Sequence, residues 1–376
     1  MKKLRLMTIV GTRPELIRLS EIIKKADIYF EHIFVHTGQN YDSRLNDIFY
    51  DDLGLRKPDY YLNVVGEHLG ETMGNIIAKS YELMQKVKPD ALLILGDTNS
   101  ALSSISAKRL KVPIFHMEAG NRCFDENLPE ETNRRIVDHI SDVNLPYTEH
   151  ARRYLIAEGV KKEYIYVTGS PMKEVIEANL SKIEKSNVLT ELNLEKQGYI
   201  VLSAHREENI DNEAYFISLM EAVNTMARTY HMPIIYTVHP RSARFIEERN
   251  FKFDPLVRKM PPFNFSDYSF LMKNSYCVVS DSGTMPEEAA ISHFPAVCIR
   301  TSTERPEALD QGCFIIGGIT GDSILQSVDM AVSMANLNDF GSKVVDYGAT
   351  NVSSTVIRLI QSYTRIIDDK VWRKRL

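Results

Sequence analysis

Short apolar runs alternate along the chain with longer amphipathic stretches. Residues 4–10 read as a strand, and Leu16, Ile17, Ile22 and Ile23 then recur at helical spacing. Residues 33–37 read as strand, 72–86 as a helix with Met73, Ile76, Ile77 and Met84 on one face, and 91–95 as strand. A helix over 99–110, a strand over 112–116 and a helix over 131–139 follow, and the alternation runs on through Val143, Tyr147 and Val167. Such alternation predicts a parallel sheet covered on both faces. At Ser170-Pro171 the pattern breaks, and 173–197 reads as a charged, partly helical connection. A second alternation follows: strand 199–203, helix 213–230, and strands 233–238, 276–279 and 296–300. Beyond Thr355, Val356, Leu359, Ile360, Tyr363, Ile366 and Ile367 share one helical face. The expected fold class is α/β, with two doubly wound Rossmann-like domains facing a central cleft. Residues 1–170 would form the first, 171–354 the second, and 355–376 a closing helix.

Composition narrows the picture. A chain of 376 residues is long for one core, and 44% hydrophobic with 25% charged residues is an ordinary globular balance. The net charge of −5 offers no global attraction for nucleic acid or an anionic membrane, so an anion site must be local. Cys123, Cys277, Cys298 and Cys313 are too scattered for a disulfide framework or a zinc site, and the last three fall in or beside apolar strands. The opening MKKLRLMTIV is basic and then briefly apolar, but it flows into Gly11 with no cleavage signal and reads as the first strand. No run approaches the ~18 apolar residues of a membrane span. The expectation is a cytoplasmic protein without metal or cofactor, nucleic-acid partner or membrane insertion.

The most informative stretch is 280–308. A strand runs into Ser280-Asp281-Ser282-Gly283-Thr284 and then an acidic helix start, Glu287-Glu288, which is a layout that receives phosphate. The strand after it delivers the polar loop 301–307, read as held short of helix by Pro306. Elsewhere Asp97, Glu118, His205 and His239 each follow an apolar strand, and Glu130-Glu131 come a short loop after Glu118. In open parallel sheets these ends line the ligand crevice. Each residue alone also fits a cap or a first-turn dipole partner. Their joint appearance after successive strands points instead to acid–base chemistry, because crowded carboxylates raise one another's pKa.

These residues resemble a known family. GTRPE at 11–15, HTGQ at 36–39, GDT at 96–98, HMEAG at 116–120, PEETNR at 129–134, HREEN at 205–209, His239-Pro240, SDSG at 280–283 and TERPE at 303–307 occur in the order seen in the non-hydrolysing UDP-N-acetylglucosamine 2-epimerases. The resemblance covers nearly the whole chain. It implies a glycosyltransferase B-like fold, a homodimer, and a last helix that crosses back onto the first domain. It also implies that UDP leaves C1 as C2 loses a proton, and returns to a bound glycal. By match, Asp97, Glu118 and Glu130 resemble the acid–base set and His205 the histidine near the reacting sugar. Arg13, His239, Ser282, Gly283, Glu288 and Arg305 resemble the residues that hold uridine and phosphates, with Glu288 at the ribose.

Arg18 and Thr284 join the substrate-binding set at positions that depart from the glucosamine branch, which has lysine at the first and a second small residue at the other. Glu207 reverses a charge, and Asn40-Tyr41-Asp42 differ from the branch that a second UDP-N-acetylglucosamine activates. With IRLS at 17–20, IRTSTERPEAL at 299–309 and GGI at 317–319, the chain resembles more closely the branch that makes UDP-N-acetyl-L-fucosamine from the L-talose-configured precursor, for capsule or O-antigen. Other readings are a UDP-N-acetylglucosamine/UDP-N-acetylmannosamine 2-epimerase, a glycosyltransferase on the same fold, a hydrolysing epimerase, and a nucleotide-sugar binding protein without turnover.

Overall fold

The computed structural model describes residues 2–39 and 43–374. It divides into two compact units, one made of Met1–Ala178 with Val345–Leu376 and the other of Asn179–Val344. The sequence reading sets its boundaries after 170 and 354, whereas the units part after Ala178 and Val344.

The first unit holds a parallel sheet of β1 (Arg5–Val10), β2 (Glu31–His36), β3 (Tyr60–Tyr61), β4 (Ala91–Leu95), β5 (Ile114–Met117) and β6 (Val143–Leu145). Its order is β3-β2-β1-β4-β5-β6. The second holds β7 (Ile200–Ser203), β8 (Ile234–Thr237), β9 (Val257–Met260), β10 (Cys277–Ser280), β11 (Ala296–Cys298) and β12 (Ile315–Ile316), ordered β12-β11-β10-β7-β8-β9. Every pairing is parallel. Both are Rossmann-like α/β sheets, as expected. In each, the chain reverses its direction of growth next to the first strand. That switch point lies between β1 and β4 in one unit and between β7 and β10 in the other.

The central strands carry apolar residues on both faces, as parallel strands covered by helices must. Met7, Ile9, Leu92, Ile94 and Ile114 form one core with Leu83, Met84 and Val137 from the helices. Ile200, Leu202, Ile234, Val279 and Val297 form the other, with Phe216, Met220 and Val223 of the helix Glu213–Tyr230. Cys277, Cys298 and Cys313 are buried.

Several local expectations are corrected. Pro306 does not hold back a helix; it opens one, Pro306–Asp310, at the first-turn position where its missing N–H costs nothing. Val167 lies in no strand, and β6 is followed only by an isolated bridge between Asn144 and Ile165. The helix read over 99–110 begins as the 3₁₀ turn Asn99–Leu102 and becomes α only at Ser103–Arg109.

The last helix, Val352–Lys370, belongs to the first unit and packs on the helix Arg13–Tyr29. Val356, Ile360 and Ile367 are buried as expected, but the stripe is rotated toward Ile357 and Thr364. Tyr363, read into the apolar face, stays partly exposed and its hydroxyl meets that of Tyr166. Among the described residues no helix is long and apolar enough to cross a membrane. Ile367→Ala should cost the first unit about 2–4 kcal/mol, since Ile367 is fully buried, and urea unfolding should show it as a lower midpoint at unchanged slope.

Candidate functional site

In the first unit the polar groups gather at the carboxyl ends of β1, β4 and β5. Gly11 leaves β1 and cannot take a side chain: a Cβ there would lie 1.9 Å from Ser100 Oγ and 2.4 Å from Thr37 Oγ1. The turn is tied by Glu15, whose carboxylate accepts from Gly11 N–H at 3.1 Å and from Thr12 Oγ1 at 2.7 Å. Glu15 is almost completely buried, and burial pushes its pKa up to about 7 against those hydrogen bonds. Arg13 starts the helix beyond, half-buried, with its guanidinium 5.7 Å from the Phe49 ring.

Gly96 ends β4 in the left-handed region, φ 70°, and turns the chain into Asp97. Asp97 Oδ2 accepts from Arg134 Nε at 2.6 Å, and the Asp97 carbonyl accepts from Asn133 Nδ2 at 2.9 Å. Arg134 also donates to Glu131 Oε2 at 2.7 Å. Of the two acids at this helix start, Glu131 is thus the buried partner of the arginine, while Glu130 is half-buried.

Glu118 follows β5 with φ 62°, a backbone that a residue with a side chain adopts only under strain. Its Oε1 accepts from Asn121 Nδ2 at 3.0 Å, and its Oε2 meets the buried Arg18 guanidinium, which lies over the Tyr147 ring. Both carboxylate oxygens therefore have a donor, which is how an anion survives at 9% exposure. His36, of the HTGQ motif, is buried with Nδ1 accepting from Gly38 N–H, and burial lowers its pKa to about 4.

In the second unit the organising group is Asp281, fully buried after β10. Its Oδ2 accepts from the backbone N–H groups of His205 (2.8 Å) and Arg206 (2.9 Å) and from Asn209 Nδ2 (3.2 Å). His205 Nδ1 lies 3.0 Å from its other oxygen. Burial alone would raise this acid; the charge and hydrogen bond of His205 and the N–H of Arg206 hold it far below the usual carboxylate range. His205, with Nδ1 on the Asp281 side, keeps a side chain 36% exposed. Its ring lies 5.7 Å from that of His239, which is half-buried after β8.

The Ser-Gly turn follows directly. Ser282 Oγ and Thr284 Oγ1 are 3.1 Å apart, and Thr284 Oγ1 donates to Glu288 Oε2 at 3.2 Å. A Cβ on Gly283 would fall 2.1 Å from Glu304 Oε1, so a side chain there would have to push the Glu304 carboxylate off Arg206 and Arg300. Glu304 binds Arg300 at 2.6 Å and Arg206 at 3.1 Å. Arg305 is buried, with Nε 3.5 Å from Glu287.

At the first switch point the structure brings together Arg18, Asp97, Glu118 and, through Arg134, the helix that bears Glu130. At the second it brings together His205, His239, Ser282, Gly283, Thr284 and Glu288. Asn40-Tyr41-Asp42 lie outside the described residues. Among the described residues no three His, Cys, Asp or Glu side chains are grouped to hold a metal ion. Sequence reasoning overlooked Arg134, Glu15 and Asp281 as working parts, although PEETNR, GTRPE and SDSG contain them. An acid one residue beyond an apolar strand, as Asp281 is, was the available signal.

Polar groups gathered at the carboxyl ends of the strands in two Rossmann-like sheets mark the edge where α/β proteins of this kind bind small molecules. A family model described as UDP-N-acetylglucosamine 2-epimerase matches residues 23–361. The structure of UDP-N-acetylglucosamine 2-epimerase from Rickettsia bellii is similar with a TM-score of 0.91 and 44% identity, covering 98% of this chain and 99% of that one. The Methanocaldococcus jannaschii enzyme, solved in complex with UDP-GlcNAc and UDP, gives 0.88 and 31% over 95% and 99%. A Pseudomonas aeruginosa UDP-2,3-diacetamido-2,3-dideoxy-D-glucuronate 2-epimerase is 31% identical over 94% of this chain and 98% of its own. The chain belongs to the UDP-N-acetylglucosamine 2-epimerase family and is an isomerase.

Glu15 gives the site a pH signature. Its folded pKa, about 7, is above the ordinary 4.5, so its contribution to stability is present below pH 4.5 and is lost as pH rises through 7. Glu15→Gln should remove a loss on the order of 3 kcal/mol between those values, visible as a flatter profile of unfolding free energy against pH.

Proposed function

We propose that this chain inverts C2 of a UDP-2-acetamido sugar by eliminating UDP and adding it back. The observation that carries the reading is the pair of arginine-bound carboxylates at adjacent strand ends, Asp97 with Arg134 and Glu118 with Arg18. A base takes the C2 proton, the C2–H electron pair becomes the C1–C2 double bond, and UDP leaves with the C1–O pair. Return of UDP to C1, with a proton delivered to the opposite face of C2, gives the epimer. Two-faced proton traffic needs two acid–base groups, and Asp97, Glu118 and Glu130 are assigned to it. Fixed donors must meet the departing diphosphate, and holding uridine and phosphates is assigned to Arg13, Arg18, His239, Ser282, Gly283, Thr284 and Arg305, with Glu288 on the ribose. His205 is assigned to the reacting sugar.

Two sugars have support. UDP-N-acetylglucosamine is favoured by relatives of that name at 44% and 31% identity, one of them solved with it bound. UDP-2-acetamido-2,6-dideoxy-β-L-talose, giving UDP-N-acetyl-β-L-fucosamine for a capsular or O-antigen polysaccharide, is favoured by Arg18, Glu207 and Thr284, where the glucosamine pattern breaks. A relative named for a third sugar, at 31% identity, means that the family alone does not choose.

Incubation of the purified protein with a panel of UDP-2-acetamido sugars in deuterium oxide, followed by proton NMR, tests both levels. The product should carry deuterium at C2, and only the true sugar should turn over at a useful rate. Asp97→Asn or Glu118→Gln should cut C2 exchange by at least about 10²-fold while UDP binding stays within a few-fold. Turnover without label, free sugar as product, or a requirement for an acceptor would each replace the reading by another reaction.

A further inference from the structure

His116 and Asp138 are used by nothing so far described, yet both are buried beneath the acids of the first unit. His116 sits on β5 at 1% exposure, in a strand whose other residues are Ile114, Phe115 and Met117. An apolar residue would fill that place at less cost, because a buried imidazole must find partners. It finds two. Nε2 is 2.8 Å from the carbonyl oxygen of Gly96, and since a carbonyl only accepts, Nε2 carries the hydrogen. Nδ1 is 2.9 Å from Asp138 Oδ1.

Asp138, fully buried on the helix Pro129–Ile140, accepts in turn from the N–H of Gly120 at 3.1 Å and from Arg122 at 2.8 Å. Gly96 is the residue before Asp97, and Gly120 is two residues after Glu118. The chain of contacts Gly96 carbonyl, His116, Asp138, Gly120 N–H therefore runs from the turn that presents one acid to the turn that presents the other. Both glycines have positive φ, 70° and 79°, and Glu118 has 62°. Of these only Glu118 is strained by a left-handed backbone, and a residue with a side chain keeps that geometry where its surroundings hold the neighbouring peptide planes.

We infer that His116 and Asp138 are positioning residues that fix the separation of Asp97 and Glu118 by pinning the Gly96 and Gly120 peptides to one another. The inference rests on the assignment of Asp97 and Glu118 as proton-transfer groups. A displacement of about 1 Å between reacting groups costs up to about 10²-fold in rate, so loss of the pin should lower kcat while groups that hold uridine and phosphates keep their affinity.

The test compares wild-type protein with His116→Ala, His116→Gln and Asp138→Asn, using the UDP-sugar that the panel identifies. His116→Ala should lose about 10- to 100-fold in kcat and in C2 deuterium exchange, with KM and the UDP Kd within about twofold. His116→Gln, whose amide can still donate to the Gly96 carbonyl, should recover part of that loss. Asp138→Asn keeps an acceptor for Gly120 and carries the test if the His116 variants do not fold, as judged by circular dichroism and UDP binding. A folded His116→Ala or Asp138→Asn protein with wild-type kcat, or one in which KM rises as kcat and thermal stability fall and glutamine recovers nothing, overturns the inference. Wild-type protein that turns substrate over without exchange at C2 overturns the acid–base assignment itself, and the positioning role with it.

Discussion

A negative charge can be buried at the end of a parallel strand only where donors meet it, and that requirement shapes both units. Glu118 is met by Arg18 and Asn121, Asp97 by Arg134, and Asp281 by two backbone N–H groups and an asparagine. Removing one partner from such a pair leaves an uncompensated buried charge, which is more damaging than never having had the pair. The arginines are consequently as much a part of each site as the acids. Arg134 reaches Asp97 and Glu131 together, so one guanidinium sets the geometry of a strand end and of the helix that follows it.

The two units meet this requirement differently. The first uses side chains on side chains, placed by glycines and one strained glutamate in the left-handed region. The second uses the backbone: Asp281 gathers the N–H groups of the 205–206 turn, and the ring of that same histidine lies beside its other oxygen. Below the Ser-Gly turn, Glu304 occupies the space where a side chain on Gly283 would go and spends its charge on Arg206 and Arg300. Bare backbone there is a result of packing as much as a provision for an anion.

Much of this was legible in the chain. The helix Glu213–Tyr230 falls where its periodicity puts it, and the acids Asp97 and Glu118 stand out because each comes just past the end of an apolar strand. The edge strands Tyr60–Tyr61, Val257–Met260 and Ile315–Ile316 were not legible: two are only two residues long, and Val257–Met260 carries Arg258 and Lys259 in place of an apolar run. Nor were the partners. Arg134 lies 37 positions from Asp97, and Arg18 lies 100 from Glu118, distances over which spacing encodes nothing and only the order of strands in the sheet decides who meets. Pro306 was misread for a different reason: its ring is equally suited to stopping a helix and to starting one.

The first unit is discontinuous, since the helix that covers Arg13–Tyr29 comes from Val352–Lys370, after the whole of the second unit. A ribosome delivers the chain in one direction only. The apolar flank of that early helix therefore stays uncovered while Asn179–Val344 emerges and has time to collapse on its own, and the opening half of the molecule is finished last. Chaperone demand during synthesis should then centre on the N-terminal helix rather than on the later, contiguous unit.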